Sequence, residues 1–161
     1  MAVKNEYPPF ISWEWKSYDG KNKVDPVEFI NKHSDAQFFV GTDSQNYRKG
    51  KRLCVFTTVL IAYRKGKGGS VILHSDKTSY MEHLRQRLLI EAMRSLETAW
   101  WLQTKINNES IVTIHLDVNE NLKYKSAQYK DELVGMVMAQ GFNAAWKPNS
   151  WAASGVADAK T

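Results

Sequence analysis

Cysteine is nearly absent from this sequence. Its single occurrence, Cys54, lies inside an apolar run that is typical of a strand, so one chain can form neither a disulfide framework nor a cysteine metal cluster. The first residues lack the apolar core of a signal peptide, and no segment approaches the ~18 consecutive apolar residues that a membrane-spanning helix needs. We therefore expect a buried structural thiol in a soluble, cytoplasmic protein that has no membrane partner.

Internal repeats, low-complexity tracts and linker-like segments are also missing. The 161 residues, 43% of them hydrophobic, suffice for one well-packed core and are too few for two comfortable domains. We expect residues 1–161 to form a single domain, with residues 1–35 as an N-terminal arm and short helix packed on it. Lys and Arg number 22 against 17 Asp and Glu, a moderate positive excess that is compatible with nucleic acid but not diagnostic.

Two apolar runs that are too short for helices lead directly into an aspartate. The run Phe38 to Thr42 precedes Asp43, and the run Ile111 to Leu116 precedes Asp117. Both runs are typical of buried strands. A carboxylate at the exit of such a strand is costly unless a metal ion or a charged partner lies beside it. The two acids therefore indicate one shared site.

Hydrophobic periodicity and turn residues predict an α/β protein with the element order β-β-β-α-β-α-β-α. The first three strands, joined by two basic turns, form an antiparallel meander. A long helix follows from Thr78 or Ser79 to about Leu102, then the Asp117 strand. The predicted remainder is a helix, a short strand and a helix of small residues, over 126–140, 142–146 and 151–160.

The long helix carries a third candidate acid. Residues at spacings of three and four form its core-facing stripe: Met81, Leu84, Leu88, Ala92, Leu96 and Ala99. Glu91 borders this stripe and tilts toward the sheet, whereas Glu82 lies on the opposite border. We therefore prefer Glu91 as the buried acid and keep Glu82 as the alternative. In the last predicted helix, small residues permit close packing, so Asp158 could also approach the sheet.

The sequence resembles the ribonuclease-H-like superfamily, and more closely its YkuK-type branch of predicted nucleases. The matching pieces are Val40-Gly41-Thr42-Asp43-Ser44-Gln45, Ile90-Glu91, His115-Leu116-Asp117, residues 147–154 and Val156-Ala157-Asp158. The resemblance implies a ribonuclease-H-like fold, in which a five-stranded mixed sheet with its first three strands antiparallel is flanked by helices. It further implies that Asp43 bridges two divalent ions, Mg²⁺ or Mn²⁺, in a catalytic, metal-binding set completed by Glu91, Asp117 and Asp158.

The implied function is a metal-dependent nuclease that hydrolyses phosphodiester bonds in RNA, RNA/DNA hybrids or structured DNA by a two-metal mechanism. Residues of the strand end, of the two basic turns and of the chain after the last strand are expected to contact nucleic acid: Ser44, Gln45, Arg48, Lys49, Lys51, Lys65, Lys67 and Lys147. His115 is kept outside the core site, because a single histidine in a strand is more often satisfied within the fold.

Two other functions remain compatible with the sequence. One is a nucleic-acid-binding module on the same fold that has no turnover. The other is a protein-interaction module that uses the aromatic residues. Trp100 and Trp101 are adjacent on the long helix and cannot both face the core, so one of them is expected at the surface, where it could support a homodimer.

Overall fold

The structure, a computed structural model, describes residues 13–106 and 112–147. These ranges contain six strands, three α-helices and one 3₁₀ helix, Lys125–Tyr129. The strands are β1 (Lys16–Ser17), β2 (Gln37–Tyr47), β3 (Leu53–Arg64), β4 (Gly68–Ser79), β5 (Val112–Asn119) and β6 (Asn143–Lys147). The helices are α1 (Pro26–Lys32), α2 (Leu84–Gln103) and α3 (Lys130–Ala139).

The strands form one mixed sheet in the order β1-β4-β3-β2-β5-β6. Strands β2, β3 and β4 are antiparallel neighbours, as the meander prediction requires, while β5 pairs in parallel with both β2 and β6. Parallel pairing needs a crossover connection, and α2 and α3 provide the two crossovers. The mixed α/β architecture predicted from the sequence is therefore present.

The expected number of five strands is wrong for the described residues, because β1 adds a sixth at one edge of the sheet. Lys16 and Ser17 pair with Leu73 and Ile72 of β4. Two residues are too few to produce an alternating hydrophobic pattern, so the sequence gives no strand signal there. Trp13 and Trp15, which are 6% and 2% exposed, anchor this edge strand in the core.

The predicted start of the long helix is also wrong. Thr78 and Ser79 belong to β4, where they pair with Cys54 and Leu53, and α2 begins only at Leu84. The full-length ladder between β3 and β4 satisfies the backbone groups of residues 75–79, which outweighs the local preference of Thr and Ser for a helix cap. The helix 126–140 is likewise divided into the 3₁₀ helix and α3.

Alternation along the strands divides the apolar side chains between the two faces of the sheet. Phe38, Val40 and Leu60 belong to the main core. The predicted stripe of α2 contributes Leu88, Ala92, Leu96 and Ala99 to the same core, all of them buried. On the other face, Val59, Ile61 and Leu73 form a smaller cluster that Phe39 and Val71 extend. The helices thus cover one face of the sheet, where α2 packs against β2 and β5.

Three further predictions concern single residues or segments. Cys54 is a buried free thiol, as expected. Trp100 is 44% exposed while Trp101 packs against the core, which confirms that one of the pair lies at the surface. The predicted helix 151–160, with Asp158, lies outside the described residues. Within the part of the chain that the structure describes, no helix is both long and apolar enough to cross a membrane.

Candidate metal centre

Asp43 lies where β2 separates from its parallel neighbour. The parallel pairing of β2 with β5 stops at Gly41 and His115, whereas β2 continues to Tyr47 in its antiparallel pairing with β3. We expected Asp43 at the end of its strand. It lies instead inside β2, just beyond the end of the parallel section. Its side chain is almost completely buried, at 6% exposure.

Asp117 lies at the corresponding position of β5. The register between β5 and β6 shifts between His115 and Asn119, so Asp117 is in an irregular part of the ladder. Its side chain is 19% exposed. The pairing of β5 with β2 has thus ended at this level and its ladder with β6 is irregular, so the two carboxylates lie together at one rim.

Glu91 reaches the same rim from α2. It is the eighth residue of the helix, about two turns from Leu84, and it is 5% exposed. The hydroxyl of Ser44 donates a hydrogen bond of 2.5 Å to Glu91 Oε2, which ties the helix acid to β2. Glu82, the alternative acid, precedes the helix and lines a different cavity together with Arg85 and Tyr129. The geometry therefore favours Glu91 over Glu82.

The three acids converge although 74 positions of chain separate the first from the last. One carboxylate oxygen from each of Asp43, Glu91 and Asp117 lies within 4.8 Å of the other two. The cluster lines a polar cleft of about 330 Å³, which Ser44, Arg87 and Lys147 also line. Asp158, the fourth predicted acid, lies outside the described residues.

The carboxylate environment is unfavourable without a counter-charge. Burial, and then the negative charge of Asp117, raise the pKa of Glu91 to about 8, although the Ser44 hydrogen bond and the positive charge of Arg87 oppose the rise. Glu91 therefore holds a proton at neutral pH unless a cation enters the cluster. A divalent ion would favour the ionised form, so binding of the ion and loss of this proton are coupled.

The donor set fits a hard divalent cation. Mg²⁺ prefers carboxylate oxygens at about 2.1 Å in octahedral geometry, which puts adjacent ligands about 3.0 Å and opposite ligands about 4.2 Å apart. Oxygens that lie within 4.8 Å of one another reach that spacing through side-chain adjustments of about 1–2 Å. The open cleft also leaves room for the water ligands that Mg²⁺ usually keeps.

Two cations balance part of the negative charge. Lys147 Nζ, at the end of β6, lies 2.6 Å from Asp117 Oδ1. Arg87 Nη1 donates a hydrogen bond of 3.2 Å to Ser44 Oγ, and so supports the residue that holds Glu91. Sequence reasoning missed Arg87. Its signal is the spacing of four residues to Glu91, which puts both side chains on one face of a helix.

The structure brings together only some of the residues predicted to contact nucleic acid. Ser44 and Lys147 lie in the cleft, Ser44 being buried against Glu91. Gln45, near the end of β2, and the β2–β3 turn residues Arg48, Lys49 and Lys51, beyond that end, are exposed. Lys65 and Lys67 occupy the turn at the other end of β3, and a strand of twelve residues separates the two turns by roughly 40 Å.

His115 does not join the acidic cluster. It is buried, and its ring lies 5.1 Å from the ring of Phe39 on the sheet. Burial lowers the pKa of His115 to about 4, so the imidazole is neutral at physiological pH. This placement agrees with leaving the histidine outside the core site.

A mixed sheet that gathers carboxylates at one rim is what the sequence resemblance implies, and three of the four implied acids lie there among the described residues. A family model described as Ribonuclease H-like matches residues 25–161. The chain belongs to the Ribonuclease H-like family. Comparison with curated proteins and with solved structures gave no match. The match covers β2 to β6, and thus every described residue of the Ribonuclease H-like acidic cluster.

Proposed function

We propose that this Ribonuclease H-like protein is a metal-dependent nuclease that hydrolyses phosphodiester bonds of RNA, RNA/DNA hybrid or structured DNA. The observation that carries the proposal is the convergence of Asp43, Glu91 and Asp117, from two strands and a helix, to within 4.8 Å. We assign the chain to the YkuK-type branch on the segments Gly41 to Gln45 and Lys147 to Asn149. A reducing, cytoplasmic location suits its buried free thiol.

The proposed ligands are Asp43, Glu91 and Asp117, with Asp158 as the fourth. Two divalent ions, Mg²⁺ or Mn²⁺, would there polarise the phosphoryl oxygens, make a water more acidic and stabilise the leaving oxygen. Asp43 is the proposed bridging ligand. Ser44 holds the Glu91 carboxyl group in place through its 2.5 Å hydrogen bond, so the helix acid keeps its position at the rim.

Positive charge around the cleft suits an anionic substrate. Arg87 and Lys147 line the cleft beside the acids, and their cationic groups can contact phosphate oxygens of the bound backbone. Beyond the cleft, Gln45 and the β2–β3 turn extend this surface. The remote turn with Lys65 and Lys67 would contact only a long substrate, because it lies at the far end of β3.

The test is cleavage of labelled RNA, RNA/DNA hybrid and DNA by the purified protein with Mg²⁺ or Mn²⁺. We expect products with at least one of these substrates and none in the presence of EDTA. Asp43→Asn should abolish cleavage, since it removes one negative charge from the cluster. Glu82→Gln is the matched control, since Glu82 lies outside the cluster, and it should cleave at the wild-type rate. Equal activity of Asp43→Asn would refute the assignment.

The same experiment separates the alternatives. Salt-dependent binding of nucleic acid without metal-dependent products would identify a non-catalytic binding module of the same fold. Absence of both binding and cleavage would leave a protein-interaction module, for which the 44% exposed Trp100 offers a contact surface. A homodimer through such exposed aromatic residues would appear as a doubled mass in solution.

A further inference from the structure

Two arginines of the β2–β3 turn lie over one tyrosine ring. The Cζ atom of Arg52 lies 4.8 Å from the ring centroid of Tyr80, and that of Arg48 lies 5.6 Å from it. Tyr80 is the first residue after β4, and its side chain is partly exposed. We call these three residues the arginine–tyrosine clamp.

The backbone holds the clamp in place. The Tyr80 N–H donates a hydrogen bond of 3.0 Å to the carbonyl of Arg52. The Asn46 amide group donates to the Met81 carbonyl at 2.6 Å and accepts from the Met81 N–H at 3.2 Å. Three hydrogen bonds thus fasten the chain after β4 to the hairpin. The turn is therefore a preformed surface rather than a free loop.

The clamp carries positive charge without a compensating carboxylate. Four of the five residues 48–52 are cationic. Within residues 13–106 and 112–147, none of these four forms an ion pair. The face of an aromatic ring attracts a guanidinium group, but two guanidinium groups that share one ring repel each other. An anion that contacts both groups would relieve this repulsion.

The position of the clamp relates it to the acidic cluster. Arg48 follows Asp43 by five residues along extended chain, which corresponds to roughly 17 Å. The major groove of a duplex is about 12 Å wide and is bordered by the phosphates of both strands. A duplex with one phosphate at the cluster can therefore bring a phosphate from across the groove to the clamp.

We propose that the arginine–tyrosine clamp binds the phosphodiester backbone of a duplex substrate roughly 17 Å from the bond that is cleaved. The clamp adds a second anchoring point to the cleft and so sets the length of duplex needed for full affinity. Tyr80 acts by positioning the two guanidinium groups, which contact the phosphates. This inference rests on the proposed nuclease function, because the backbone bound by the clamp is that of the nuclease substrate.

The test is the salt dependence of duplex binding, measured by fluorescence anisotropy in an Asp43→Asn background that does not cleave. Loss of two phosphate contacts should make the negative slope of log K against log salt shallower by about 2 and raise the Kd at 0.1 M salt at least about tenfold. We therefore expect both changes for Arg48→Ala/Arg52→Ala. The control Lys32→Ala/Lys105→Ala removes the same charge from exposed positions outside the β2–β3 turn and should keep the parent slope.

The clamp proposal would be overturned if Arg48→Ala/Arg52→Ala left the salt slope unchanged. It would also be overturned if both double variants made the slope shallower by the same amount. If the Asp43→Asn reference protein bound no duplex at all, the proposed nuclease function would be overturned together with the clamp. Tyr80→Leu should weaken binding, whereas Tyr80→Phe, which keeps the ring, should bind like the parent. Equal affinities of Tyr80→Leu and Tyr80→Phe would contradict the positioning role of the tyrosine.

Discussion

Lys147 Nζ lies 2.6 Å from Asp117 Oδ1, at the rim where β5 and β6 change register. The ammonium group is thus an internal counter-ion of the acidic cluster. It stands beside one of the three carboxylates proposed to hold a divalent ion, within ion-pair distance. A metal ion that binds Asp117 must share this carboxylate with the lysine or displace it.

Removing the lysine charge should strengthen metal binding. Two positive charges on an ion and one on an ammonium group about 5 Å away repel by roughly 1.7 kcal/mol even at the dielectric constant of water, a factor of about 15–20 in affinity. We therefore expect Lys147→Met to bind Mn²⁺ about 15- to 20-fold more tightly in isothermal titration calorimetry.

The control for this variant is Lys123→Met, which removes the same charge from an exposed position that does not line the cleft. It should bind Mn²⁺ with the wild-type affinity. Weaker binding by Lys147→Met would contradict the account, because it would mean that the lysine orients Asp117 for the metal rather than competing with it.

A second buried pair stabilises α2 on the sheet away from the cleft. Arg94 contacts the Asp76 carboxylate through Nη2 at 2.9 Å and through Nε at 3.2 Å, and the two side chains are only 9% and 15% exposed. Arg94→Ala leaves Asp76 buried without this partner, so we expect the free energy of unfolding to fall by about 3–5 kcal/mol. Urea denaturation followed by circular dichroism measures this loss.

The matched control is Arg85→Ala, on the same helix. Arg85 pairs with Glu132 at 2.5 Å, but the side chains are 53% and 43% exposed. Solvent screens pairs that are this exposed, so Arg85→Ala should reduce the free energy of unfolding only slightly. Equal losses for the two variants would show that burial does not govern the contribution of these pairs.

The positions of Asp43, Glu91 and Asp117 could be predicted because they follow from local patterns. The apolar run that ends in Gly41-Thr42-Asp43 predicts a buried strand from the local sequence alone. The spacing of three and four in α2 puts Glu91 at the border of the core-facing stripe. Once β2 and β5 are parallel neighbours, Asp43 and Asp117 must lie at the same rim of the sheet.

The remaining features depend on contacts between distant segments. The Ser44–Glu91 hydrogen bond joins residues 47 positions apart, and no local pattern shows it. The extension of β4 to Ser79 follows from its pairing with β3, which overrides the capping preference of Thr78 and Ser79. The separation of the two basic turns likewise depends on the length of β3, which local periodicity fixes only to within a few residues.

The most direct measurement is anomalous diffraction from crystals soaked in Mn²⁺. The account predicts anomalous peaks within coordination distance of the carboxylate oxygens of Asp43, Glu91 and Asp117, and loss of these peaks in Asp43→Asn crystals treated in the same way. Peaks found only away from these three carboxylates, or peaks at the cluster that Asp43→Asn leaves unchanged, would contradict a metal centre built on Asp43.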